Sequence, residues 1–196
     1  MELHMKRIVL ASASPRRREL LKQLGLEFDV VIKPVAETIE DKTAPAEAVS
    51  MLAWRKAREV AGTLGEGIVI GADTVVVHRD KILGKPASPS EALAVLRTLS
   101  GSAHLVVTGL CVMDAATGKT VKDTQTTRVF FRRLADDEIR AYVESGEPMD
   151  KAGSYGIQGL GAVLVDRIDG CYFNVVGLPL TRLSLALREF GINIPG

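Results

Sequence analysis

The run Ile68 to His78, IVIGADTVVVH, narrows the folds open to this chain more than any other segment. It is apolar and β-branched at both alternating positions, so as a strand it must be covered on both faces, the situation of a central strand in a sheet with helices on either side. Asp73 interrupts it. Aspartate is a poor strand former, and a carboxylate in apolar surroundings is costly unless it is paired, metal-bound or placed at a cleft. Gly71 and Ala72 remove side-chain bulk just before it, and Thr74 sets a hydroxyl beside it. The plain reading is a structural aspartate satisfying backbone N–H groups. The functional reading is a carboxylate standing where a ligand approaches the backbone.

The rest of the chain alternates in a way that fits such a sheet. Arg7 to Ala11 reads as a short strand, and Ser14-Pro15 as an N-cap followed by proline at the first helical position, with Gly25 as the stop. Phe28 to Ile32 reads as a second strand, Lys33 to Thr43 as an acidic loop, and Pro45 to about Leu64 as a long helix. After the central strand, Arg79 to Lys81 makes a turn, and Ser88 or Ser90 caps a helix that ends near Leu99. His104 to Met113 and Lys119 to Phe131 form a hairpin around Asp114–Gly118. A helix over Asp136–Glu144, a glycine-rich loop over Gly146–Gly161, a strand over Val163–Ile168 and a helix over Leu178–Phe190 complete the order. Without repeats or a linker, residues 1–196 are expected to form one mixed α/β domain, a twisted sheet flanked by helices.

Composition closes several routes. Lys and Arg total 25 against 24 Asp and Glu, a net charge of +1, so no long-range field gathers nucleic acid or an anionic membrane. Aromatic residues are 5% of the chain, few for a nucleic-acid-stacking surface. The two cysteines, Cys111 and Cys171, are far apart and give neither a disulfide framework nor a zinc pair, which points to a reducing cytoplasm. The N-terminal apolar run is short and soon meets three arginines, unlike a leader or a membrane anchor.

Arg16, Arg17 and Arg18 fall in the first turn of a predicted helix, where the macrodipole disfavours cations. Free N–H groups there already attract phosphate, and arginine forks match phosphate oxygens two at a time, so at least one of the three is expected to face a phosphate, with a solvated face as the bland alternative. Lys85, between Gly84 and Pro86, and Lys56 on the long helix are further candidates. Glu37 and Glu40 can join Asp73 around a hard cation, or lie solvated. In SGEPMDKAGSYGIQG, Tyr155 is placed to stack on a ring and Gln158 to present a donor and an acceptor to a base edge. His4, His78 and His104 lack metal-ligand spacing and read as structural, as does Trp54.

Taken together, LASASPRRREL, GADTVV, GKP, SGEPMDKAGSYGIQG and NVVGLPL resemble the Maf family of nucleoside triphosphate pyrophosphatases over about residues 7–190. The resemblance implies a fold akin to inosine triphosphate pyrophosphatases, with two lobes and a cleft, often homodimeric. It also implies hydrolysis of a nucleoside triphosphate to its monophosphate and pyrophosphate with Mg²⁺ or Mn²⁺. By position, Asp73 matches the family's proton acceptor, and Ser12, Arg16, Arg17, Glu37, Lys56 and Lys85 match residues around substrate or metal. Arg16, Thr74 and Gln158 resemble the subgroup acting on dTTP and UTP. The chain departs from many members at Gly84, where they carry glutamate, so one carboxylate near the metal is missing. The competing expectation is a nucleotide-binding regulatory protein linked to septum formation, without significant catalysis.

Overall fold

The computed structural model describes residues 6–38 and 43–194. The elements run β1 (Ile8–Leu10), α1 (Pro15–Gln23), β2 (Asp29–Val30), α2 (Pro45–Ala61), β3 (Ile68–His78), β4 (Lys81–Leu83), α3 (Pro89–Leu99), β5 (Ala103–Asp114) and β6 (Thr120–Phe131). They continue through α4 (Asp136–Glu144), three 3₁₀ turns within 147–164, β7 (Val165–Asp169), α5 (Tyr172–Val176) and α6 (Leu180–Arg188). The sheet has the order β2-β1-β3-β5-β6-β7, with β4 paired to β3. β1 lies parallel to both β2 and β3, while β4 and β7 pair antiparallel with β3 and β6, so the sheet is mixed, as the alternation predicts.

The elements start where their sequences direct. Ser14 Oγ accepts from the Arg17 amide ahead of Pro15, and Ser88 Oγ accepts from the Glu91 amide ahead of Pro89. Gly25 takes φ of +70° after α1. Two elements escape the sequence reading. β4 follows β3 through a two-residue turn in which Arg79 and Asp80 both adopt positive φ, the mirror-image geometry that fits a tight hairpin, without the usual Asn-Gly signature. α5 is only five residues long and carries too little periodicity to declare itself. The glycine-rich segment is a succession of 3₁₀ turns, not an open loop.

The chain divides into two compact units, one of residues 1–73, 108–125 and 177–196, the other of residues 74–107 and 126–176. The core of the first joins Val9 and Val69 to Ala53, Ala57 and Val60 of α2 and to Cys111. That of the second gathers Val76, Leu96, Val106, Phe131, Ile139 and Tyr155. Among the described residues no helix is long and apolar enough to cross a membrane.

Candidate active site

Gly71 and Asp73 stand two apart on β3 and so face the same side of the strand. A Cβ at Gly71 would lie 2.3 Å from the Ala53 carbonyl oxygen and 2.9 Å from the Ala57 amide nitrogen, so glycine alone admits the backbone of α2 here. Gly109 on β5 is a second seat, where a Cβ would stand 2.2 Å from the Val49 carbonyl oxygen. With α2 held this close, Lys56 reaches the strand: its Nζ donates to Asp73 Oδ1 at 2.5 Å and lies 3.0 Å from Glu37 Oε1. The Lys56 and Asp73 side chains are 17% and 14% exposed, whereas Glu37 is 67% exposed on its loop. That loop is tied to the same helix, since Arg55 Nη1 donates to the Ala36 and Thr38 carbonyls, each at 2.9 Å.

Arg17 turns inward from α1. Its Nε donates to the Gly177 carbonyl at 2.8 Å, and its Nη1 to the Ala72 carbonyl at 2.9 Å and Ser12 Oγ at 3.1 Å. Burial pulls its guanidinium below the ordinary value; the carboxylates of Asp73 and Glu37 oppose that, and the Arg16 charge adds to it. Arg17 therefore fastens the backbone at the residue from which Asp73 follows. Ser12 Oγ also accepts from the Ser14 amide, and a hydroxyl that accepts twice still has a proton to donate. Arg16 and Arg18 are partly exposed on α1. The first unit thus brings Asp73, Lys56 and Glu37 into direct contact and gathers Arg17 and Ser12 at the neighbouring backbone. Glu40 and His4 lie outside the described residues.

In the second unit, Thr74 continues β3 and faces the side opposite to Asp73. Lys85 is exposed in the loop after β4, and the Gly84 carbonyl accepts from the Gly153 amide at 3.0 Å. Gly153 has φ of +71°, and a Cβ on it would sit 2.9 Å from Val76, so the contact depends on glycine there. Gln158 is partly exposed at the cap of the last 3₁₀ turn.

A residue absent from the sequence reading organises this segment. Glu147 Oε1 accepts from Tyr142 Oη at 2.9 Å and the Gly161 amide at 3.0 Å, and Oε2 from the Leu160 amide at 2.9 Å. Burial raises its carboxyl pKa, but these hydrogen bonds outweigh it and the net shift is downward. Its only signal in the sequence is an acid inside a glycine-proline-rich stretch. Tyr155 corrects an expectation. It is 5% exposed, edge-on to Phe131 at 4.7 Å, with its hydroxyl 2.7 Å from His104 Nε2, so it is core and unable to stack on a ligand ring.

Among the described residues no group of three or more His, Cys, Asp or Glu forms a metal cage. The donor set that does exist is two carboxylates within reach of one nitrogen. Such a pair suits Mg²⁺ or Mn²⁺, hard ions that take one or two carboxylates and complete their shell with phosphates and water.

The family model for Maf-like proteins matches residues 7–190. The chain belongs to the Maf family. Among its relatives, a protein of Pelotomaculum thermopropionicum named dTTP/UTP pyrophosphatase is 55% identical over 97% of this chain and 100% of its own length. One from Desulforamulus reducens, with the same name, is 53% identical with the same coverage. A HAM1 protein from Coxiella burnetii superposes with a TM-score of 0.52 at 18% identity, covering 94% of this chain and 100% of that one. The mixed α/β fold expected of a Maf-family chain is the fold found, and the HAM1 protein shares it.

Proposed function

We propose that the protein hydrolyses dTTP and UTP to the nucleoside monophosphate and pyrophosphate, with the Asp73–Lys56–Glu37 cluster at the centre of the chemistry. The observation that carries this reading is a half-buried carboxylate on the central strand, bonded to an ammonium and joined through it to a second carboxylate. The names of the relatives support the substrate class.

Attack at the α-phosphorus needs an oriented water, in-line geometry and neutralised phosphate charge. Asp73 orients the water and takes its proton, from a strand position that packing keeps fixed. Asp73 and Glu37 would hold the divalent cation, which when bound lowers the pKa of a coordinated water and offsets phosphate charge. Lys56 and Lys85 carry compact positive charge to the triphosphate, and Arg16 adds a forked donor, stabilising the departing pyrophosphate. Ser12 gives its remaining proton to a phosphate oxygen, and Arg17 contributes charge while its bonds hold Ser12 and the Ala72 carbonyl in place. Gln158 reads the base: a 4-keto group with an adjacent N3–H presents acceptor and donor, which one carboxamide complements, whereas cytosine reverses the pattern. Thr74, the next residue on β3 after Asp73 though directed to the other face, is a further candidate for contact with the substrate. The enzyme acts in the cytoplasm, where its substrates are made, as a homodimer.

Pyrophosphate release from dTTP, UTP, CTP, GTP and 7-methyl-GTP, with Mg²⁺ or Mn²⁺ and with metal chelated, tests the reading. Metal-dependent turnover confined to dTTP and UTP supports it. Equal turnover of CTP and UTP removes Gln158 from its role, and nucleotide binding without turnover of any of them replaces the hydrolase with a binding protein.

A further inference from the structure

Lys56 sits where a cation is wanted. Two carboxylate oxygens, one from the central strand and one from the α2-laced loop, lie within 3.0 Å of its Nζ. Its place is not incidental: Gly71 seats Ala53 and Ala57 against β3, and Lys56 shares their helical face by its three-residue spacing from Ala53. Asp73 projects from the same side of β3 as Gly71, beneath that helix. A lone pair directed at an ammonium proton is not directed at a metal, and an ammonium and a divalent cation cannot share one seat against their mutual repulsion.

On the reading that Asp73 and Glu37 are the metal carboxylates, we infer that Lys56 is a resident stand-in for the metal. Its ammonium holds the two carboxylates in the nucleotide-free protein and excludes free divalent cation. Metal then enters with the triphosphate, whose oxygens give the displaced ammonium a new partner. Lys56 thereby makes the metal–nucleotide complex the species that is taken up, and keeps the largely buried Asp73 carboxylate from facing the exposed Glu37 carboxylate uncompensated in its absence. No covalent bond is made or broken in this exchange; the ammonium gives up its contacts to Asp73 and Glu37, and one cation replaces another.

The test is Mn²⁺ binding to the protein without nucleotide, read by isothermal titration calorimetry and by the electron paramagnetic resonance signal of free Mn²⁺. Lys56→Gln is expected to bind Mn²⁺ at least tenfold tighter than the wild type, Lys56→Arg to stay near the wild type, and Asp73→Asn in the Lys56→Gln background to abolish the gain. Lys56→Met serves as a second neutral variant, with circular dichroism confirming that each folds. Mn²⁺ binding by both neutral variants no tighter than by the wild type overturns the inference, and so does a gain that survives Asp73→Asn. Failure here is distinguishable from failure of the hydrolase reading: an active wild type with no gain in the neutral variants loses only the stand-in role, whereas a gain without turnover keeps the site and loses the reaction.

Discussion

A carboxylate persists at Asp73 because the fold compensates it from two sides. Lys56 bonds it directly, and the charge of the buried Arg17 stands close enough to feel it. If Asp73 handles the proton of the attacking water, Asp73→Asn keeps the shape and nucleotide affinity but lowers kcat by about 10²–10⁴-fold. Steady-state kinetics beside equilibrium nucleotide binding separates these outcomes, and full turnover in the variant would remove Asp73 from the chemistry. At this scale the anomaly is legible in the sequence and its resolution is not. Asp in an apolar strand announces itself, but Lys56 and Glu37 reach it only through the packing of α2 and its loop. Arg17 is a sharper case. A run of three arginines at a helix start reads as an anion site, yet the middle one turns inward to carbonyls of Ala72 and Gly177, partners that no local pattern discloses.

The placement of α2 is a matter of two glycines. Gly71→Ala would drive a methyl group into the Ala53 carbonyl, and since backbone cannot yield as a flexible side chain does, the expected cost is about 1–3 kcal/mol or more in urea unfolding. Because Lys56 rides on that helix, kcat should fall as well; unchanged stability would mean that α2 is not seated through Gly71. The segment that carries Gln158 is an element of a different kind, shaped by Glu147. Glu147→Gln weakens the charge-assisted acceptors for the Leu160 and Gly161 amides, and is expected to cost about 1–3 kcal/mol. If Gln158 reads the base, the preference for UTP over CTP should also drop several-fold, seen as a ratio of kcat/KM values. Long periodic elements such as α2 and β3 are legible from their patterns. β4 and α5 are not, because three and five residues carry almost no periodicity and owe their form to neighbours.

For the molecule as a whole, the core of the second unit sets a pH limit. His104 is buried against Phe131 and Tyr155, and burial, with the charge of His78 adding to it, lowers its pKa from 6.5 to about 4. The unfolded chain therefore binds a proton that the folded one refuses, so stability is full above about pH 6.5 and declines as pH falls towards 4, by about 3 kcal/mol. Urea unfolding across that range checks it, and His104→Gln should remove most of this slope; an unaltered slope would assign the acid sensitivity elsewhere. The mixed α/β architecture follows from the order of patterns along the chain. Its division into two units does not, because three of the four boundaries fall inside β3, β5 and β6, where the sequence carries no break, and only the fourth lies at the end of an element, after α5. In the proposed reaction, water attacks the α-phosphorus of a pyrimidine triphosphate. Turnover of dTTP in ¹⁸O-water with product analysis by mass spectrometry tests it most directly: the label is expected in the monophosphate with unlabelled pyrophosphate, and label in pyrophosphate or in orthophosphate would contradict it.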